Sequence, residues 1–427
     1  MSRDAITDPR MLSIVGLLFV LLLISGCGGN AADDELSGRI TLWHSWAEED
    51  AAVLEEALAQ FEEIHPRVRI ASVALPRDQI LDEFNKSGND GLGPAVLIGN
   101  DSWIGELVND GFIRPLSIDE KTISNVTSRN KGLTSYQNEL YGVALTLSPN
   151  ALYYNKKLVT EPPETLDELL QDAANGNQVA FVPRFEEAYW GIQAFGEGLF
   201  DDQGKFTLAE SGFTEWLTWL DEAQHAPGVI LNVDNDSLFD LFTSGQVAYY
   251  VAGPEIQKLL PSDTEGQPLF DYGVAPLPDG PQGAAGSLLP AETIFLYSYT
   301  SPEQTRIANN LAAFLVNQQQ GIRFMRELNR VPANPSIAVD QRIYPIVHGF
   351  AQQVETAVVI PNEIQSQPLI TAGNRAYVSA LSGALSPAEA VCQFGLEVAA
   401  FQGYTTADMS LPQNCEAPTE LRNDERS

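Results

Sequence analysis

Two tryptophans three residues apart, Trp43 and Trp46, and a polar-aromatic set, Asn100, Asp101 and Trp103, are the residues in this chain best equipped for chemistry. Indole rings offer flat apolar faces and one N–H donor, while a carboxylate and an amide offer acceptors and donors in fixed directions. Such a set suits reversible capture of a solute that has both an apolar face and polar groups. Core packing is the competing use for Trp43. It is a poorer use for Asp101, because burying a lone carboxylate is costly.

The means for covalent chemistry are missing. The four histidines, His44, His65, His225 and His348, stand at no metal-ligand spacing, and three cysteines do not complete a zinc site. There is no G-x-S-x-G elbow and no G-x-x-x-x-G-K-[ST] loop, and Ser287 between Gly286 and Leu288 lacks the glycine pattern. Among 57 acidic residues any two resemble a glycosidase pair, so a secreted glycan-active enzyme is only a lesser alternative. We expect no enzyme, no metal and no cofactor.

The elements that must position these residues alternate. Arg39 to Trp43 is β-rich, and Ala47 to Ile64 carries apolar residues at helical spacing until His65-Pro66 stops it. Val68 to Val73 alternates as a strand, Gln79 to Asn85 reads as a short helix, Ala95 to Ile98 as a buried strand and Trp103 to Val108 as a helix. This β-α-β-α-β-α rhythm predicts a parallel sheet with helices on its faces, and Trp43, Trp46, Asn100, Asp101 and Trp103 then fall at the strand ends that face a binding crevice. The rhythm resumes from Leu166, with strands at 179–182, 246–251, 272–276 and 293–299, and the last third is helical. No internal repeat is present.

Composition narrows the partners. Net charge is −33, from 57 acidic against 24 basic residues, which excludes nucleic acid and an anionic membrane surface as binding partners. At the N-terminus, an apolar run from Leu12 to Leu23 is followed by Ile24-Ser25-Gly26-Cys27 and a polar tether. A spanning helix needs roughly 20 residues, so the run reads as a signal-peptide core ahead of small residues. Residues 1–26 are expected to be removed, Cys27 to carry lipid, and residues 27–35 to form a flexible tether. Translation from Met11 instead of Met1 would leave that signal nearly without basic residues. The protein would then work outside the cytoplasmic membrane, anchored to it by lipid alone. Cys392 and Cys415 remain as an even pair, read in an oxidising compartment as a disulfide worth about 3 kcal/mol by the chain-entropy model.

Ordered motifs resemble a known family. Thr41-Leu42-Trp43-His44-Ser45-Trp46, Gly99 to Leu107, Gly111 to Leu116, Leu140-Tyr141-Gly142-Val143-Ala144 leading to Ala151 to Leu158, Phe242 to Ala248, Val251-Ala252-Gly253-Pro254 and Tyr272 to Pro278 are similar to the extracellular solute-binding proteins of sugar ABC transporters, the maltose-binding-protein relatives. The resemblance implies an α/β, two-lobed periplasmic-binding-protein-like fold (type II). Each lobe would be a mainly parallel sheet flanked by helices, the two joined by a multi-segment hinge. Residues 36–147 and 290–335 would form the N-lobe, 148–289 and 336–415 the C-lobe, and 416–427 a polar tail.

Function follows from the same resemblance: a monomeric subunit that captures a carbohydrate between its lobes and delivers it to the permease subunits of an ABC importer. A pyranose has an apolar face for aromatic stacking and a rim of hydroxyls for polar groups. Trp43, Trp46, Asn100, Asp101 and Trp103 would line the first lobe, Glu186, Tyr189, Trp190 and Glu255 the second, with Glu292 beside the hinge. Three departures stand out. Ser148 replaces a cleft glutamate of maltose binders, Ile370 falls near an aromatic position, and Gly93-Pro94-Ala95 lacks the usual aspartate. The loss of aromatic platforms counts against long maltodextrins and leaves a smaller or different glycan open. The alternatives are a cationic solute, polyamine or metal, and a sensory or adhesive lipoprotein without a permease.

Overall fold

The structure, a computed structural model, describes residues 35–46, 48–117, 132–201, 204–263, 268–405, 410–412 and 415. The signal peptide, Cys27, the tether up to residue 34 and the tail from 416 lie outside the described residues. No helix among the described residues is long and apolar enough to cross a membrane.

Two sheets organise the chain. The first opens with β1 (Gly38–His44), α1 (Glu48–Ile64), β2 (Val68–Ala74), α2 (Ile80–Asn89), β3 (Val96–Asn100) and α3 (Ile104–Asn109). After a two-residue pair, β4 (Ser135–Tyr136) and β5 (Glu139–Leu140), comes β6 (Gly142–Leu147), which leads into the second sheet at β7 (Ala151–Asn155). The second unit continues through α4 (Leu166–Ala174), β8 (Val179–Phe181), α5 (Phe213–Ala223), β9 (Val229–Leu231), α6 (Asn235–Thr243), β10 (Tyr249–Ala252), a 3-10 turn at Pro254–Lys258 and β11 (Tyr272–Ala275). The chain returns with β12 (Ala291–Leu296), α7 (Pro302–Leu315), α8 (Gln318–Leu328) and β13 (Val331–Pro332), then crosses again to α9 (Pro345–Val354), α10 (Ser366–Leu381) and α11 (Pro387–Gln402). Three crossings thus join two lobes. The N-lobe sheet has the order β13-β6-β12-β3-β1-β2 and the C-lobe sheet β11-β7-β10-β8-β9.

The α/β two-lobed architecture is as expected, but the sheets are mixed where mainly parallel ones were expected. β2, β1 and β3 run parallel, whereas β12 pairs antiparallel with both β3 and β6. In the C-lobe, β10, β8 and β9 run parallel while β7 is antiparallel to β10 and β11. The cause is the hinge. β3 ends at the interlobe side, so a strand entering from the other lobe must run the opposite way, and Glu292 at the start of β12 lands opposite Asn100 at the end of β3.

Local signals set the helix starts. Thr165 with Glu168, Ser301 with Gln304 and Ser386 with Glu389 form capping boxes on α4, α7 and α11, the last two with proline at the first turn. Each box satisfies two backbone N–H groups that the helix itself leaves unpaired. A disulfide joins Cys392 on α11 to Cys415, 23 residues on, tying the end of the described chain to the last helix. The N-lobe core lies under α1 and α7, around Leu42, Phe61, Ile294 and Leu311. The C-lobe core is aromatic, centred on Trp190, Trp216 and Tyr377.

Candidate functional site

Where the strand ends of the two lobes face each other, a cavity of about 750 Å³ opens, lined from both sides. That volume falls within the range of small-molecule sites, and a domain interface is a preferred place for them. The N-lobe contributes Ser45, Trp46, Asp50, Arg77, Asn100, Thr146, Glu292 and Arg330, and the C-lobe Ser148, Asn150, Glu186, Glu187, Glu255 and Lys258.

The N-lobe wall is a connected network. Trp46 is 3% exposed and its Nε1 donates to Glu292 Oε1 at 2.7 Å. The hydroxyl of Thr146 donates to Glu292 Oε2 at 3.1 Å, and the Arg330 guanidinium pairs with that same oxygen. Arg330 also donates to Asp50 Oδ2 at 2.7 Å, and its Cζ lies 3.9 Å from the centre of the Trp46 ring. One indole face is therefore covered by a cation, a favourable quadrupole contact that also keeps a ligand off that face. Burial pulls the Arg330 guanidinium below its ordinary pKa, while the bond it donates to Asp50 pulls it back up. The ring is held from another side by Phe324, edge-on at 5.4 Å.

Backbone geometry sets these groups in place. His44 Nδ1 accepts a hydrogen bond from the Trp46 N–H at 3.0 Å, which leaves its Nε2 to carry the proton toward Ser72 Oγ, also at 3.0 Å. Desolvation lowers the His44 pKa, against the pull of Glu55. Arg330 reaches the cleft because α8 ends at Asn329 in the left-handed conformation, φ 53°. Asparagine tolerates this backbone better than most residues, and it turns the chain toward the wall.

The C-lobe wall is different. Glu187 pairs with Arg184 at 2.6 Å. Glu186 and Glu255 are exposed to the cleft. Desolvation pushes the Glu186 carboxyl up, followed by the like charge of Glu187. Desolvation also raises Glu255, opposed by bonds from its own turn and by the charge of Arg77 across the cleft.

Of the residues expected to touch a ligand, Trp46, Asn100, Glu186, Glu255 and Glu292 line the cavity. Trp43, Asp101, Trp103, Tyr189 and Trp190 do not, and each has a physical reason. Trp43 lies on the other face of β1 and packs with Trp103 against Ile80, Phe84 and Leu97. Trp103 folds back over Gly99, where a Cβ would lie 2.1 Å from the ring, so the glycine is what admits the indole. Asp101 is half-buried and its Oδ1 accepts the Ala291 N–H at 2.8 Å. Desolvation pushes that carboxyl to about 7, against the pull of the Ala291 bond. Tyr189 and Trp190 are 0% and 1% exposed. Trp190 packs on Trp216 at 4.7 Å, and Tyr189 lies 5.5 Å from Phe185.

Asp50, Arg77, Lys258 and Arg330 are lining residues that sequence reasoning missed. The signal for Arg330 was its place next to an asparagine helix cap. Asp50 reads as one more acid in the first turn of a helix, where acids are common. Among the described residues no group of three or more His, Cys, Asp or Glu could hold a metal ion.

A two-lobed α/β chain with a polar, preformed cleft between its lobes has the build of a solute-binding protein. The chain belongs to the bacterial extracellular solute-binding protein family, whose model matches residues 56–343. It is 23% identical over 405 residues to the galactooligosaccharide-binding protein of Bacillus subtilis, covering 88% of this chain and 93% of that protein. It is 22% identical over 389 residues to a maltooligosaccharide ABC transporter solute-binding lipoprotein of Streptococcus pneumoniae, covering 84% and 86% of the two chains. Among solved structures it is similar to a cyclo/maltodextrin-binding protein complexed with maltotetraose, with a TM-score of 0.76 and 21% identity over 86% of this chain and 98% of that one. These relatives bind solutes and are not enzymes, in line with the missing catalytic motifs.

Proposed function

We propose that this chain is the solute-binding subunit of a carbohydrate ABC importer, capturing a short saccharide in the interlobe cleft. The observation that carries the reading is the cleft itself: about 750 Å³, one tryptophan, and hydrogen-bonding side chains from both lobes. Asn100, Ser148, Asn150, Glu186, Glu255 and Arg77 would meet sugar hydroxyls, while Trp46, 3% exposed and bonded to Glu292, would belong to the floor beneath them. Among the described residues Trp46 is the one aromatic lining the cleft and it is almost wholly buried, which supports a short ligand over a long stacked dextrin. The relatives' names support an oligosaccharide as the ligand class.

Capture works by hinge closure. A solute that touches both walls stabilises the closed form, and only its differential affinity for that form shifts the population. In this reading residues 36–147 with 290–335 move as one lobe against 148–289 with 336–415, as a monomer. Cys27 would hold the protein at the membrane by lipid, within reach of permease subunits at high effective concentration. The pneumococcal relative's designation as a lipoprotein supports the anchor.

A thermal-shift screen against galacto- and malto-oligosaccharides, polyols, polyamines and divalent metals tests the reading, because ligand binding to the native state raises the melting point by mass action. A shift with saccharides is expected. A shift with polyamines alone would replace sugar by a cationic solute, the reading that the two cleft-facing glutamates of the C-lobe favour.

A further inference from the structure

The charged groups of the two walls meet at one point. Lys258, at the end of the 3-10 turn after β10, extends its ammonium across the cleft and pairs with Asp50 Oδ2 on α1 of the other lobe. That oxygen is the one Arg330 also binds, and Arg330 in turn pairs with Glu292. The Asp50 side chain is 5% exposed, that of Arg330 18% and that of Lys258 54%, so the pair has one buried and one solvated partner.

We propose that Lys258 is an interlobe positioning residue: by pairing with Asp50 it holds the lobes together and balances the charge of the wall that carries Trp46. With the lobes closed, two carboxylates, Asp50 and Glu292, face two cations, Lys258 and Arg330. When the lobes part, Lys258 leaves with the C-lobe, and Arg330 alone must serve both carboxylates. The excess negative charge then draws water to the wall, and a buried acid with half its partners removed disfavours the dry, ligand-ready arrangement. Closure and completion of the N-lobe wall become one event. A second charge relation has the reverse polarity: Glu255, three residues before Lys258 on the same turn, faces Arg77 of the N-lobe. The turn thus presents an acid and a base to a base and an acid. The inference rests on the two-lobed fold and does not depend on the solute being a sugar.

The test is single-molecule energy transfer between labels on the two lobes of the purified protein, with no saccharide added, for wild type, Lys258→Met and Lys258→Arg. A pair with one solvated partner contributes modestly, so Lys258→Met should reduce the closed-to-open ratio about two- to fivefold at low salt. Salt near 1 M, where the Debye length is about 3 Å, should open the wild type and Lys258→Arg but leave Lys258→Met unchanged. Asp50→Asn should open the lobes as well, which guards against an effect of the lysine stem alone. Circular dichroism checks that each variant is folded. A Lys258→Met protein with the wild-type ratio at every salt concentration overturns the proposal. So does one that opens yet keeps the wild-type salt dependence, or a Lys258→Arg protein that fails to restore closure. Because no sugar is present, failure here leaves the carbohydrate reading standing, and failure of that reading leaves this result intact.

Discussion

The two walls of the cleft are built on opposite plans. On the N-lobe side Asp50, Glu292, Arg330, Thr146 and the Trp46 N–H are bonded to one another before any solute arrives. On the C-lobe side Glu186 and Glu255 face the cavity, and among the described residues no ion pair reaches them. The aromatic mass of that lobe lies behind them, in the core. A satisfied network resists rearrangement because each member, once orphaned, leaves a buried polar group unpaired. Open carboxylates keep their acceptors for a ligand. The contrast points to two jobs: the bonded cluster around Glu292 would be a rigid floor, and Glu186 and Glu255, together with Asn100 of the N-lobe, would meet the solute.

If that division holds, substitutions in the bonded cluster should cost stability and those at the open carboxylates should cost affinity. Arg330→Met removes the cation between two carboxylates. It should lower unfolding free energy by about 3–5 kcal/mol in urea denaturation, the range for breaking a buried pair from one side. Glu292→Gln keeps the shape but weakens charged bonds to Trp46, Thr146 and Arg330, and should cost about 1.5–3 kcal/mol by the same measurement.

Glu255→Gln and Glu186→Gln should reverse the pattern. Both carboxyls are raised by desolvation, so the charged forms disfavour the fold as pH rises, and the amides should melt at or slightly above the wild-type temperature near neutral pH. Saccharide affinity should nevertheless fall about tenfold, equivalent to about 1.4 kcal/mol, in calorimetric titration. A large loss of stability in these variants would erase the distinction between the walls.

A pH-dependent effect concerns the hinge. Asp101 holds the first residue of β12 and titrates at about 7, raised from its ordinary value of 3.8. The folded state therefore binds the extra proton between these limits. Asp101's contribution is fully present below about 4 and is lost as pH rises to about 7. Asp101→Asn keeps an acceptor for Ala291 and should flatten this part of the stability–pH curve, measured as melting temperature against pH.

Much of the fold was readable because its signals are local. Capping boxes start α4, α7 and α11, His65-Pro66 ends α1, and an even cysteine pair matches the Cys392–Cys415 disulfide. The hinge strands were harder. β6 is buried at every position and β7 at all but one, so neither shows the alternation that marks a half-buried strand. The returning strand β12, which makes the N-lobe sheet mixed, depends on contacts some 190 residues apart in sequence, as between Glu292 and Asn100.

The site was half readable for a related reason. A tryptophan near a strand end can turn to the cleft or to the core, and its neighbours decide. Trp46 turns to the cleft wall because His44 fixes its backbone and Glu292 takes its N–H. Trp103 turns inward because Gly99 leaves room for it, and Trp190 because Trp216 lies beneath it. Arg330 and Lys258 are far from Asp50 in sequence, and only the folded chain brings their charges together.

The central claim is that one saccharide is held by both walls of this cleft. Its most direct test is calorimetric titration of the oligosaccharide giving the largest thermal shift into wild type, Glu255→Gln and an N-lobe variant, Asn100→Ala. Saturable one-to-one binding to the wild type, weakened about tenfold or more by either substitution, is the predicted result. Binding that survives both substitutions unchanged, or the absence of binding to any saccharide in the screen, would contradict it.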